Sequence, residues 1–208
     1  KEYYTLGCAA HCLILEGHNE LKRRFAVGGP INEKTGKPYG TATKAYAAWV
    51  EYQGKPAISQ EDYILISELR CAIDAHEEAQ PLLDNGWAEL TCRNNYCGME
   101  AQARIDWYNP ERGIVDLKTC ADLDRFEFDA KRFGYANQLA FYRAVAQVTE
   151  DCFIVAVEKQ VPYRVGVWQV AEATLEAAQA ENEAAINQLK RCIESDEWPT
   201  RYEEVRVL

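Results

Sequence analysis

Ile105-Asp106-Trp107-Tyr108-Asn109-Pro110-Glu111-Arg112-Gly113-Ile114-Val115-Asp116-Leu117-Lys118-Thr119 is the stretch whose reading decides the fold. Two apolar-rich, strand-like runs flank Asn109-Pro110-Glu111-Arg112-Gly113, which has the Pro and Gly punctuation of a hairpin loop. Asp106 closes the first run, and Asp116, Leu117 and Lys118 close the second. Side chains alternate faces along a strand, so Asp116 and Lys118 point one way and Leu117 points into the core. A hairpin can bring Asp106 beside them.

Such a pair has a cost. Two carboxylates about 5 Å apart at an effective dielectric of about 20 repel by roughly 3 kcal/mol, which calls for a divalent cation or a shared proton. A neighbouring Lys can hold a nucleophilic water or a phosphate, so this grouping suits metal-assisted phosphodiester cleavage. Asp-x-Lys also occurs as a solvated surface pair. The order of elements favours the functional reading: strand, turn, strand ending in Asp-Leu-Lys-Thr, then a helix carrying Gln138 and Tyr142. Glu89, on a preceding strand, can lean toward the same site or face solvent.

The 208 residues suffice for one domain with a full core, residues 1–208, and 48% apolar with 27% charged residues is a globular composition. The expected divisions are a mainly helical layer over 1–86, a sheet core over 87–170, and a helix with a tail over 171–208. No apolar run approaches a membrane span, and Lys1-Glu2-Tyr3 does not begin a signal peptide. The absence of an initiator Met implies a preceding segment. A net charge of -10 excludes a nucleic-acid binder driven by overall basicity, but not an enzyme with an acidic, metal-neutralised site. Eight cysteines without a Cys-x-x-Cys pair imply buried free thiols and a reduced, cytoplasmic setting. Cys92 and Cys97 have a spacing that suits a metal, but no second pair completes a zinc site.

Periodicity predicts helices over Thr5–Glu16, Ala45–Tyr52, Ser59–His76 (capped by Ser59 with Asp62), Phe133–Val148 and Ala171–Ser195. His11 lies beside the apolar stripe of the first, and His76 reads as a solvated residue. Arg24–Gly28 reads as a short strand before a polar loop, Ile31–Thr43. Strands are expected over Trp87–Arg93, Cys97–Trp107, Gly113–Thr119, Asp151–Glu158 and Tyr163–Val170. The unbroken run Phe153-Ile154-Val155-Ala156-Val157 suits a strand buried on both faces. In the helix after the catalytic-looking strand, Gln138 can face either outward or toward the site.

Gly7-Cys8-Ala9-Ala10-His11, then Asp106, then Asp116-Leu117-Lys118-Thr119, then Tyr135-Ala136-Asn137-Gln138-Leu139-Ala140-Phe141-Tyr142 together resemble the PD-(D/E)xK nuclease superfamily. Within it the chain is most similar to phage and prophage exonucleases of the RecE (exonuclease VIII) type, from about Leu6 to Val170. The superfamily's Pro before the first Asp is replaced by Ile105.

The resemblance implies an α/β fold: a mixed central sheet flanked by helices, restriction-endonuclease-like, with an added N-terminal helical layer. It implies Mg²⁺, or Mn²⁺, held by His11, Asp106, Asp116 and the Leu117 carbonyl. Lys118 would orient or activate the attacking water, Gln138 and Tyr142 would contact the DNA backbone or support the site from the next helix, and Thr119, Lys131 and Arg132 would contact DNA. Glu89, by its strand position, is a further catalytic candidate. The cysteine pattern lacks the C-terminal trio of relatives with an iron–sulfur cluster, so no cluster is expected. The implied activity is exonucleolytic hydrolysis of linear double-stranded DNA, 5′ to 3′, in phage-type recombination. The implied partners are a single-strand annealing recombinase and further copies of the chain in a ring. An endonuclease of the same fold and a catalytically silent DNA-binding or assembly module are the alternatives.

Overall fold

The computed structural model describes residues 2–200; Lys1 and the end of the expected tail, 201–208, lie outside the described residues. Its centre is a five-stranded mixed sheet of β3 (Trp87–Tyr96), β4 (Met99–Asn109), β5 (Gly113–Cys120), β6 (Cys152–Glu158) and β7 (Val165–Gln169), in that spatial order. The pairs β3–β4, β4–β5 and β6–β7 are antiparallel, whereas β5 and β6 run parallel. A parallel pair needs a crossover connection, supplied here by α5 (Phe126–Arg132) and α6 (Tyr135–Ala146).

Helices cover both faces. On one side α1 (Glu2–His11) and α4 (Gln60–Asp74) pack through Ala9, Ala10, Ile66 and Leu69 on Val115, Leu117, Val155 and Val157. On the other, α6 and the long α7 (Glu172–Ser195) bring Leu139, Ala140, Leu175 and Ala178 onto Ile114, Ile154 and Ala156. Strand β6 therefore divides its apolar run between two cores, as its unbroken hydrophobicity predicts. The N-terminal layer also holds α2 (His18–Arg24), α3 (Lys44–Gln53) and a small parallel pair, β1 (Ala26–Val27) with β2 (Ala57–Ile58). Among the described residues, no helix is long and apolar enough to cross a membrane.

The expected boundaries shift for identifiable reasons. After His11 the helix widens into a π-helical turn, Cys12–Glu16, in which Cys12, Leu13, Ile14 and Leu15 are all buried. Four consecutive buried side chains are more than one stripe of an α-helix carries. The β3–β4 hairpin turns on Cys97-Gly98, both at positive φ (53° and 83°), the two-residue geometry that matches strand twist. Cys97 is thus the hairpin tip, not the start of a strand. The expected capping box of α4 forms: Asp62 N–H donates to Ser59 Oγ at 2.9 Å, and Ser59 N–H donates to the Asp62 carboxylate at 3.3 Å. His76, expected to be solvated, instead accepts from the backbone N–H groups of Glu78 and Ala79.

The β4–β5 turn depends on Gly113, at φ 116°, where an added Cβ would stand 2.0 Å from the Asp151 carbonyl oxygen. Gly113→Ala is expected to cost at least about 2 kcal/mol of stability, because backbone on both sides resists relief. Ser59→Ala, losing only a cap, is expected to cost about 1 kcal/mol. Denaturant titration of the two variants checks the order.

Candidate active site

The candidate side chains gather where the pleat of the sheet reverses. Ala88 packs on the α1–α4 side and Leu90 on the α6–α7 side, although the two are two residues apart on one strand. Trp107 and Ile105 divide the same way on β4. Between them lie Glu89, at φ 52°, and Asp106, which faces it in the register set by Ala88↔Trp107 and Leu90↔Ile105. Asp106 is therefore inside a strand that runs on to Asn109, not at the end of one.

Strands β4 and β5 pair only from Asn109↔Gly113 to Trp107↔Val115. One step further the register sets Asp106 opposite Asp116, and there the ladder stops. The Asp106 carboxylate takes over: Leu117 N–H donates to its Oδ2 at 2.9 Å. In an extended strand the N–H and C=O of one residue leave the same edge, so the Leu117 carbonyl also faces the opening between β4 and β5.

His11, the last residue of α1, reaches into this opening. Its Nδ1 lies 3.5 Å from Asp106 Oδ2, and one ligand atom each from His11, Glu89 and Asp106 lies within 4.8 Å of the others. Asp116 falls outside that trio. It is fully buried, with Oδ1 accepting from Gln138 Nε2 at 3.1 Å and Oδ2 lying 2.5 Å from Lys118 Nζ. Apart from that ion pair, the buried Oδ2 takes no hydrogen bond. Glu89 Oε2, 2.8 Å from Arg104 Nε, is in the same position.

Helix α6 closes the site from the crossover face. Gln138 faces the site: besides holding Asp116, its Oε1 accepts from Lys118 Nζ at 3.3 Å and its Nε2 donates to Tyr142 Oη at 2.6 Å. Lys118 Nζ also lies 4.7 Å above the Tyr135 ring. Tyr135, Gln138 and Tyr142 occur at i, i+3 and i+7, one helical face, and that spacing is the signal by which Tyr135 is legible in the sequence. Arg104 carries no comparable signal, because its partner Glu89 is distant in sequence and placed only by strand register.

The other expected site residues lie elsewhere. Thr119 alternates with Lys118 and lines a small cavity with Leu6, Gly7, Ala10 and Leu69 under the N-terminal helices, away from the carboxylates. Lys131 and Arg132 are exposed at the end of α5, with the Arg132 guanidinium 5.5 Å over the Phe133 ring.

Burial governs the charges. It pushes the Asp106 carboxyl above its ordinary value despite Lys118, and it raises Asp116 to about 6, again against Lys118 and with Asp106 adding repulsion. Burial, then Lys118, lowers the His11 imidazole, which keeps it neutral and free to act as a ligand. A buried, under-bonded carboxylate oxygen, two further carboxylates and a neutral imidazole suit a hard divalent cation. Of the present residues, His11, Glu89 and Asp106 would hold it, with Asp116 and the Leu117 carbonyl at the margin.

The full chain, residues 1–208, matches the family described as a PDDEXK-like domain of unknown function (DUF3799). The chain belongs to that family. A solved structure from Eubacterium rectale, of a protein provisionally called an exonuclease, aligns with a TM-score of 0.68 at 15% identity, over 100% of this chain and 76% of that one. At that identity the likeness establishes the fold. A phage-related exonuclease from Haemophilus somnus 129PT aligns over 88% of this chain and 95% of its own at 18% identity, with a TM-score of 0.39, too low to carry an argument. No curated protein matches. The chain thus has a PD-(D/E)xK nuclease fold, with the Asp…Asp-x-Lys pattern seated in a mixed sheet flanked by helices.

The raised carboxyls fix the sign of a pH effect. Asp116 holds its proton up to about pH 6 when folded, against an ordinary value of 3.8, so its titration lowers stability as pH rises through that window. A bound cation relieves this cost and must compete with the proton. Mg²⁺ or Mn²⁺ is therefore expected to raise the melting temperature at pH 7.5 by the equivalent of about 2.7 kcal/mol when present at one hundred times its Kd at that pH, and the same concentration is expected to raise it less at pH 5. Asp106→Asn should abolish the shift; thermal melts with metal or EDTA at both pH values measure it.

Proposed function

We propose that the chain is a metal-dependent deoxyribonuclease that removes nucleotides from an end of linear double-stranded DNA, in the 5′ to 3′ direction. The observation that carries this reading is the Lys118 ammonium held between Asp116, Gln138 Oε1 and the Tyr135 ring, beside the His11–Glu89–Asp106 cluster. That arrangement fixes a cation donor at the edge of a dication site, where a phosphodiester would be hydrolysed.

The roles follow from position. His11, Asp106 and Glu89 would hold the metal, Mg²⁺ or Mn²⁺, with Asp116 and the Leu117 carbonyl nearby. When bound, that ion supplies Lewis-acid polarisation of the phosphate and a more acidic water. Lys118 Nζ orients the attacking water and stabilises charge that develops on the phosphoryl oxygens. Gln138 holds Lys118 and Asp116 in one geometry, and Tyr142 holds Gln138. Lys131 and Arg132 meet the phosphate backbone from the end of α5. Thr119 supports the β5 end from the opposite face instead of contacting DNA.

Action at ends in phage-type recombination, beside a single-strand annealing protein and in the cytoplasm, is part of this proposal. A ring of several copies would place basic residues around a channel while acidic faces stay outside, which accommodates the net charge of -10. An endonuclease on the same fold is the second reading, favoured if covalently closed circles are cut.

Linear duplex labelled separately at each 5′ and 3′ end, incubated with Mg²⁺ or EDTA, is expected to lose the 5′ label first and only with Mg²⁺. Release from neither end would overturn the reading. Lys118→Ala is expected to lower kcat by about 10³-fold or more, since it removes charge stabilisation at the transition state. The metal-induced melting shift should survive in that variant. Glu89→Gln, which keeps shape but removes one charge, should cost less than Lys118→Ala in the same assay.

A further inference from the structure

The corner between α5 and α6 carries an exposed aromatic side chain that the reading above does not use. Phe133 is 59% exposed, at the C-cap of α5, and Gly134 in left-handed conformation turns the chain directly into α6. A large apolar ring left in solvent at a tight corner forgoes burial worth about 2 kcal/mol. Its surroundings suggest a use. The Phe133 ring lies 6.0 Å from that of Tyr135, tilted by 31°, and Tyr135 in turn lies under the Lys118 ammonium. Phe133 is thus two contacts from the charged group at the centre of the site. The Arg132 guanidinium lies 5.5 Å from the Phe133 ring centroid, and Lys131 is adjacent.

The position is also firmly backed. Tyr135 packs on the buried Phe126 at 6.0 Å, and Phe126 packs on Trp168 of β7 at 4.5 Å. Trp168 Nε1 donates to Glu127, and Phe133 N–H donates to the Asp129 carbonyl at 2.8 Å. Glu127 and Asp129 make this corner mixed in charge, so it is a poor pocket for phosphate alone. A flat, neutral ring with a phosphate on one side, toward Lys131 and Arg132, fits it better. Successive bases stack on aromatic side chains without regard to sequence, with cation–π help from Arg.

We propose that Phe133, backed by Tyr135 and flanked by Arg132, is a stacking site for an unpaired nucleobase of the strand being cut. It would hold a base that has left the duplex within two ring contacts of Lys118, and so favour fraying of the terminal pair. This rests on the nuclease reading and adds to it a site for the base itself.

The test uses the full chain with Ca²⁺ in place of Mg²⁺, and short duplexes carrying 2-aminopurine at the terminal or penultimate position of either strand. Binding is expected to quench the fluorescence of a terminal label on one strand. Phe133→Ala should abolish the quenching, and Phe133→Trp should restore it. In Mg²⁺ the same Ala variant is expected to lose about tenfold in kcat/KM on blunt duplex ends, the scale of one stacked base. It should lose less on ends that already carry an unpaired overhang. Phe128, 61% exposed on the side of α5 away from the buried Phe126, is the control, and Phe128→Ala should change neither readout. A Phe133→Ala variant that quenches and cuts like the unaltered chain would overturn the stacking site and leave the nuclease reading intact. An unaltered chain that neither binds nor cuts duplex DNA would overturn both.

Discussion

The hydrogen bond from Leu117 N–H to Asp106 Oδ2 is the constraint on which the rest of the site depends. Strands β4 and β5 stop exchanging backbone hydrogen bonds at Trp107↔Val115, and a carboxylate takes up the first backbone donor beyond that point. A sheet that continued its ladder would have no opening there. A sheet that merely splayed would leave a buried N–H without a partner, at a cost of about 1–3 kcal/mol. By capping the ladder with an acid, the chain opens a gap and lines it with charge in one step. The Leu117 carbonyl is turned into the same gap by the geometry of the extended strand.

That gap concentrates opposing charges, with the carboxylates largely shielded from water and Arg104 at its exposed rim. Asp106, Asp116 and Glu89 share it with Lys118, His11 and Arg104, and burial is the largest influence on both aspartates and on the histidine. Desolvation strengthens the interactions that remain, and one buried oxygen each of Asp116 and Glu89 has an ion-pair partner and no further hydrogen bond. Lys118 lies 2.5 Å from Asp116 and is steadied by Gln138 and Tyr135. In the proposed function the same ammonium is the cation that faces the scissile phosphate.

Two helices make this geometry rigid from opposite sides. The first delivers His11 at its last α-helical residue, just where the buried run Cys12–Leu15 widens the helix into a π turn. The other lays Tyr135, Gln138 and Tyr142 along one face, against β5 and over the lysine. Both are fixed by separate cores: the first by packing on Leu117 and Val155, the second by packing on Ile114 and Ala156. Alternation along β5 thus serves both, with Leu117 anchoring one layer while Asp116 and Lys118 look into the other.

Much was legible in the sequence because it follows from local periodicity. The alternation of Asp116, Leu117 and Lys118, the double burial of β6, the capping box at Ser59 and the helical face of α6 are each written within a few residues. The sequence by itself therefore determined the strand and helix segments of an α/β core and the pairing of Asp106 with Asp116-Leu117-Lys118, while the mixed sheet and the candidacy of His11 came with the family resemblance. Tertiary structure alone decided that Glu89 joins His11 and Asp106 more closely than Asp116 does, that Arg104 pairs with Glu89, and that Thr119 belongs to the opposite face. It also decided that Gln138 looks into the site. Those outcomes turn on a reversal of pleat at Glu89 and Asp106, where each residue can break its own alternation only because the facing strand breaks at the same register. No pattern within one strand records an event that two strands must make together.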